Sequence, residues 1–465
     1  MIYFQKKLPD PIHYHFIGIG GIGMSGIAEV LMSMQFSVSG SDLLSNVQTK
    51  KLYIKGATIF NNQNSRNIDT ILKKYPTKKI IVVISSAIKK NNIELNYCIQ
   101  KKITIRHRSE ILSMIMNSYQ SIGVAGTHGK TSTSTFLFTL LDLCTSNVSA
   151  IIGGVLPQYE NNYFIKATKY FVSELDESDG SISNYKADLG IINNIDYDHC
   201  DYYKNIEQMI SSFKIFESNS KKLLVNNDCE IIRKHIQSDY KWSITNIDDI
   251  NYSLIPIDQT STSTIAQYFE NGKLINKLEI PIPGLHNLSN IAASIAACRI
   301  NNIDFNKIKA KISELQLPHK RFEFKGDIAG RTIFDDYAHH PQEIKATIKL
   351  GRLFLNENHK HTRLIAIFQP HRFSRVNKFL VEFANELALA DQIIITNIYG
   401  AGEKNINNIS SSTIAEEIYK TNKNVKTVKD NYEIRKNFNL LTQENDLIIN
   451  MGAGDCHNLW QILKS

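Results

Sequence analysis

Two glycine-rich turns constrain this chain more than any other feature. The first, "HFIGIGGIGMSG", starts at His15, and the second, "SIGVAGTHGKTS", starts at Ser121. In each, an apolar strand candidate runs directly into a glycine loop, and the loop runs into a segment with helical spacing. That order is the βα unit of a parallel sheet, whose crossovers place helices on both sheet faces. Further runs such as "KKIIVVISS" (78–86), "RLIAIFQ" (363–369) and "NDLIINMGAG" (445–454) are continuously apolar, as strands buried on both faces are. The expected fold class is therefore α/β.

A chain of 465 residues exceeds one core, and its length suggests about three domains. The pattern restarts twice. Residues 1–118 read as a Rossmann-like unit and 119–321 as a central P-loop-type ATPase unit with a parallel sheet. Residues 322–465 read as a second Rossmann-like unit. The Thr- and Ser-rich stretch 251–283 reads as a small antiparallel excursion, and helices are expected at 341–353 and 375–390.

Hydrophobic residues make up 42% and charged residues 21%, which excludes a disordered chain. The formal charge of +8 is spread over pairs such as Lys73-Lys74 and Lys101-Lys102. No dense basic run suggests nucleic acid, so the excess suits a polyanionic small substrate. Six cysteines without a CxxC pair read as free thiols of a reducing compartment. The start "MIYFQKKLPDPIHYHF" lacks a signal-type apolar stretch, and no run of ~18 apolar residues occurs. A cytoplasmic protein without membrane insertion is expected.

Gly18, Gly20 and Gly23 match G-x-G-x-x-G, which lets backbone N–H groups approach a diphosphate at a helix N-terminus. Asp42, at the end of the next strand, stands where a ribose-binding acid would sit. NAD, FAD and UDP-sugars all carry a diphosphate, and a bare turn also fits. In the second turn the first glycine of the usual P-loop would fall at Val124, and Gly126 stands there out of register. Backbone N–H groups of Gly126 to Lys130 can still wrap a phosphate, with Lys130 at β/γ oxygens and Thr131 at Mg²⁺.

"SELDESDGS" crowds Glu174, Asp176, Glu177 and Asp179 at a strand end, and "NNIDYDHCDYY" sets His199 beside Asp196, Asp198 and Cys200. Such acids suit a hard cation or form a solvated loop. No second Cys pair supports zinc. His286, Asn287 and Asn290 open a helix, as caps or as readers of an adenine edge. Arg321 lies where it can reach a γ-phosphate or simply face solvent. His339, His340, Arg372 and Arg375 follow strand candidates and suit a carboxylate-bearing substrate.

Taken in order, "HFIGIGGIGMSGIA", "GTHGKTS", "DESDGS", "NIDYDH", "PGLHN", "DDYAHHP", "FQPHRFSR" and "GAGD" resemble the bacterial Mur ligase family over essentially the whole chain. The resemblance implies ATP-dependent ligation of L-alanine to the lactyl carboxylate of UDP-N-acetylmuramate through an acyl phosphate. It implies ATP with Mg²⁺ or Mn²⁺, and a monomer or homodimer. The short G-T-x-G-K-[ST] loop, Gly126, Thr127, His128, Gly129, Lys130, Thr131 and Ser132, is then the ATP loop. Thr131, Glu174 and His199 would hold metal. Asn287 and Asn290 would lie at adenine, Arg321 at the γ-phosphate and Asp336 at the nucleotide from the C-terminal side. Gly18, Gly20, Gly21, Gly23, Asp42 and Ser86 would bind the UDP substrate, and His339, Arg372 and Arg375 the alanine. The third unit would act as a lid that excludes water.

Ser132, Leu175, Lys320, Cys200 and Gly400 depart mildly from the family pattern. "QPHRFSR" fits alanine addition better than ligation of a recycled murein tripeptide. Two other classes remain for test: a nicotinamide-dependent oxidoreductase, and a nucleotide-binding regulator without turnover.

Overall fold

The computed structural model describes residues 11–166, 169–357, 360–406 and 408–465. Three sheets follow one another along the chain. The first has five parallel strands in the order Thr58–Phe60, Ser37–Ser41, Ile12–Ile17, Lys79–Ile84, Thr104–His107. Strand order reverses beside Ile12–Ile17, and the first glycine turn leaves the carboxyl end of that strand, where α/β sheets bind ligands. "SVSGS" is polar yet buried, because its serines are satisfied internally. Ser39 Oγ lies 2.7 Å from His13 Nε2 and 2.8 Å from His15 Nδ1, and Ser41 donates to Glu94 at 2.5 Å. Gly40 is needed there: a Cβ would come within 2.5 Å of the Ile19 side chain, where the glycine turn folds over the strand.

The second sheet has ten strands. Its parallel centre runs Leu223–Asn226, Leu189–Ile192, Gln120–Ala125, Tyr170–Glu174, Val148–Leu156. Residues 251–283 do form antiparallel strands, but these are no separate excursion. Tyr252 pairs in parallel register with Trp242, so the hairpins extend the main sheet. The third sheet has six strands, from Glu323–Ile328 to Val425–Thr427, all parallel except the first pair.

Two helices differ from expectation. The one at Pro341 continues to Glu357. The one expected at 375–390 is two, Phe373–Lys378 and Leu380–Leu387. Phe379 breaks the run with φ −115° and ψ 28°, turning inward so that its ring packs on His340 and Tyr197.

One core joins the first two sheets: Tyr14, Phe16, Ile27 and Ile111 pack in the same buried cluster as Ile151, Phe171 and Leu175. The third sheet keeps its own core around Phe334, Leu364, Phe368 and Ile449. No helix among the described residues is long and apolar enough to cross a membrane.

Candidate active site between the second and third sheets

The second glycine turn caps the helix Lys130–Thr145. Gly126 (φ 134°) and Gly129 (φ 77°) adopt backbone that side-chain-bearing residues avoid, which points successive N–H groups inward. A Cβ on Gly129 would collide with the Asn290 amide oxygen. Lys130 folds back over the loop. Its ammonium donates to the Gly126 carbonyl at 2.7 Å and to Glu177 Oε1 at 2.9 Å. Burial opposes that charge, but Glu177 and Glu174 outweigh it and raise the ammonium's pKa.

The acidic loop after Tyr170–Glu174 divides its side chains by direction. Glu174 and Glu177 face the phosphate loop. Glu174 Oε2 accepts from Thr131 Oγ1 at 2.9 Å and from the Gly153 amide at 2.8 Å, and burial raises its carboxyl pKa. Asp176 and Asp179 turn to the first unit. Asp176 meets Arg108 Nη2 at 2.5 Å, and Asp179 accepts from Ser86, whose Oγ lies 3.1 Å from His107 Nε2. The four acids are thus not one cation cluster. His199, in left-handed backbone at φ 52°, points Nε2 at Glu177 Oε1 3.2 Å away. Burial opposes its protonation, but Glu177 and Asp198 outweigh that and raise its pKa.

A cavity of about 270 Å³ opens beside this loop, between the second and third sheets. His128, Gly129, Ser132, Asn287, Asn290, Arg321 and Asp336 all line it. Four segments distant in sequence therefore converge on one pocket. Asn290 Oδ1 accepts from Thr133, which also accepts from Asn193. Asn287 donates to the Pro283 carbonyl, holding the helix entrance. Asp336 accepts from the Phe322 and Ala338 amides and from Thr347 Oγ1, and burial raises its pKa. It fixes the segment that carries Arg321, whose guanidinium lies over the Tyr337 ring.

Arg372 and Arg375 are each paired to a carboxylate of the central unit. Arg375 makes two parallel bonds to Asp198, and Arg372 Nη1 meets Asp201 at 2.6 Å and Glu403 at 3.2 Å. Arg372 has φ 69°, a strained value for a residue with a side chain. His339 donates from Nδ1 to the Tyr337 carbonyl at 2.8 Å, which leaves Nε2 with its lone pair. Burial pulls its pKa down to about 4.

At the first glycine turn, Gly18 has φ 82° and Gly21 caps the helix Ile22–Ser33. Asp42 braces the turn, accepting from the Gly20 amide at 2.8 Å and the Leu44 amide at 3.2 Å. A Cβ on Gly23 would stand 2.9 Å from Arg108 Nη1, so the turn, Arg108 and Asp176 form one contact chain.

Several residues of the site carried no assigned role in the sequence. Glu177 was visible only as one acid among four. Asn194 supports the loop by accepting from the His128 amide at 2.8 Å, and Glu343 accepts from the His339 amide and lies 3.3 Å from His128 Nδ1. "NN" at 193–194 directly after a buried strand is a weak signal of such support; nothing local marks Glu343.

Three family profiles match the chain in succession: "Mur ligase family, catalytic domain" over residues 13–120, "Mur ligase middle domain" over 124–298 and "Mur ligase, glutamate ligase domain" over 320–454. The protein belongs to the Mur ligase family. It is 57% identical to a UDP-N-acetylmuramate–L-alanine ligase of Prochlorococcus marinus subsp. pastoris, over 99% of this chain and 98% of that protein. It is 40% identical to the enzyme of that name from Synechococcus sp. (strain CC9311), over 97% and 95%. Among solved structures, UDP-N-acetylmuramate-alanine ligase MurC of Thermotoga maritima superposes with a TM-score of 0.80 at 25% identity, over 97% of this chain and 98% of that one. A murein peptide ligase of Psychrobacter arcticus shares the fold at TM-score 0.68 and 21% identity, over 97% and 98%. Family membership disposes of the nicotinamide reading left open by the first glycine turn.

Proposed function

We propose that this protein is an ATP-dependent ligase that joins L-alanine to the lactyl carboxylate of UDP-N-acetylmuramate, the first amino-acid addition to the peptidoglycan stem. The observation that carries this reading is the convergence of Gly129, Asn290, Arg321 and Asp336 on one cavity beside Lys130, in a chain 57% identical to an alanine-adding relative.

Residues 1–118 hold the UDP substrate, with Gly18, Gly20, Gly21, Gly23 and Ser86 at the diphosphate side and Asp42 shaping the turn. Residues 119–321 bind ATP, and 322–465 bring the amino-acid site. The work is cytoplasmic. Lys130 gives up its bond to Glu177 to reach the phosphates, and Arg321 offsets charge from the opposite wall. Asn287 and Asn290 border adenine, and Asp336 keeps the Arg321 segment in place. The lactyl carboxylate takes the γ-phosphoryl group, giving an acyl phosphate and ADP. The alanine amine attacks that carbonyl, and inorganic phosphate leaves. His339 is neutral near pH 7 with its Nε2 lone pair free, so it can accept a hydrogen bond from the alanine amine and orient it, but its lowered pKa makes it too weak a base to hold the ammonium proton. Arg372 and Arg375 receive the alanine carboxylate by exchanging it for Asp201 and Asp198.

The donors near the loop fit a divalent cation. Thr131 Oγ1 and Glu174 Oε2 are adjacent oxygens, as Mg²⁺ requires, whereas His199 Nε2 stands on Glu177 and would have to turn from it to add a nitrogen, as Mn²⁺ tolerates. Such an ion would neutralise phosphate charge there.

Phosphate release from ATP tests the reading. It should require both UDP-N-acetylmuramate and L-alanine. Release that ignores alanine but responds to the L-Ala-γ-D-Glu-diaminopimelate tripeptide would replace it with the recycling reaction. ATP binding without any release would make the protein a regulator.

A further inference from the structure

His128, Asp196 and His340 place one ligand atom each within 4.8 Å of one another, and none of the three belongs to the Thr131–Glu174–His199 set. They come from both sides of the cleft. His128 is in the phosphate loop, Asp196 follows the strand Leu189–Ile192, and His340 immediately precedes the helix Pro341–Glu357 of the third unit. His128 Nε2 lies 3.3 Å from Asp196 Oδ2, and His340 Nδ1 lies 3.8 Å from the same oxygen. With metal–ligand bonds of about 2.1 Å, the edges of a tetrahedral site are about 3.4 Å long. One edge has that length, and the other two need only a small side-chain rotation to bring all three atoms onto a common centre.

A second, independent observation points the same way. His340 is only 3% exposed, yet neither ring nitrogen has a hydrogen-bond partner among the described residues. A buried imidazole left this way is costly, and it faces the other two groups, its ring 4.7 Å from that of His128. Outer support is also present. His128 Nδ1 lies 3.3 Å from Glu343 Oε1, the carboxylate–histidine arrangement that orients a metal-bound imidazole. Phe379 closes one side of His340 with an apolar ring.

We propose that His128, Asp196 and His340 form a second metal site, selective for Zn²⁺-class borderline ions over Mg²⁺. Two imidazoles and one carboxylate are the donor set of Zn²⁺, Co²⁺ or Ni²⁺, whereas Mg²⁺ prefers oxygen. Three protein ligands leave a fourth position for water or an anion, and one of the three, His128, also lines the cavity. An ion there staples the third unit to the phosphate loop and opposes the opening that admits nucleotide. The site stands on this geometry alone and does not depend on which amino acid the enzyme ligates.

Co²⁺ titration of the full-length, chelator-treated protein, with Mg²⁺ in large excess, tests this. The expected result is one Co²⁺ per chain with the intense visible bands of four-coordinate geometry. His340→Gln and Asp196→Asn should each weaken it at least tenfold, and His199→Asn should leave it unchanged. Zn²⁺ should raise the melting temperature of the wild type but not of His340→Gln. Failure of Co²⁺ to bind, its displacement by Mg²⁺, or loss in His199→Asn with retention in His340→Gln would each overturn the proposal. If His340→Gln does not fold, the Asp196→Asn result decides.

Discussion

Arg375 and Asp198 form a two-bond clasp across the cleft. Nε and Nη2 each lie 3.0 Å from a different carboxylate oxygen, and both side chains are about 5% exposed. The Arg375 guanidinium outweighs burial and holds the Asp198 carboxyl well below the usual carboxylate range. The residues are 177 positions apart, so the clasp exists only because the third unit sits on the second.

Arg375→Lys should lose the paired geometry, since an ammonium is a point donor. We expect the KM for L-alanine to rise at least tenfold with a smaller change in kcat. Asp198→Asn leaves a buried guanidinium without its countercharge. It should cost about 3–5 kcal/mol, read as a lower melting temperature. An unchanged KM in Arg375→Lys would remove Arg375 from the alanine site.

Lys130→Met should reduce phosphate release by about 10²–10³-fold, the usual loss for one preorganised donor to a charged transition state. It should also destabilise the protein, because the fully buried Glu177 loses its ammonium. In Lys130→Met/Glu177→Gln, stability should return and activity should not. Recovery of both would make Lys130 a structural residue.

Gly129→Ala puts a Cβ against Asn290 in left-handed backbone, a strain of about 1–2 kcal/mol. Because the strain falls on the phosphate loop, ATP binding measured by calorimetry should weaken more than the melting temperature falls. Normal ATP affinity in this variant would argue against the loop as the phosphate cradle.

Five histidines set an acid limit. Burial holds His13 and His371 down to about 3, and His286, His339 and His340 to about 4. Once unfolded, each takes up a proton below about pH 6.5, while the folded chain resists until about pH 3 to 4. Stability therefore falls as pH drops from 6.5, by up to about 1.4 kcal/mol per pH unit for each histidine. In the metal-free protein His128 has the opposite sign. Burial opposes its charge, but Asp196 and Glu343 hold its pKa up at about 9. Its contribution is complete below about pH 6.5 and is lost as pH rises through 9. Melting temperatures across pH 4–10 should peak near neutrality. In His13→Gln, whose partners are the distant Ser37 and Ser39, the acid slope should be shallower.

The parts of the site that the sequence revealed are those governed by local backbone rules. Gly18, Gly126 and Gly129 are legible because positive φ at a strand–helix turn favours glycine. The three α/β restarts are legible because buried parallel strands must be apolar throughout. Pairing across the fold is not local. Nothing near Glu177 says that it will hold Lys130, and nothing near Asp198 says that it will hold Arg375. "SVSGS" shows the reverse problem: its serines look solvent-facing until His13, His15 and Glu94 arrive from two other segments. The break at Phe379 is equally tertiary, set by Tyr197 and His340 rather than by any helix-breaking residue.

The core shared by the first two sheets gives the chain two mechanical bodies instead of three. A gene fragment ending near residue 118 would expose Tyr14, Phe16, Ile27 and Ile111 to water where Ile151 and Phe171 now cover them. Such a fragment should aggregate, whereas a cut before the third sheet severs a joint held mainly by polar clasps. An opening of the cleft would therefore be the swing of a single jaw, with the first glycine turn carried along with the second.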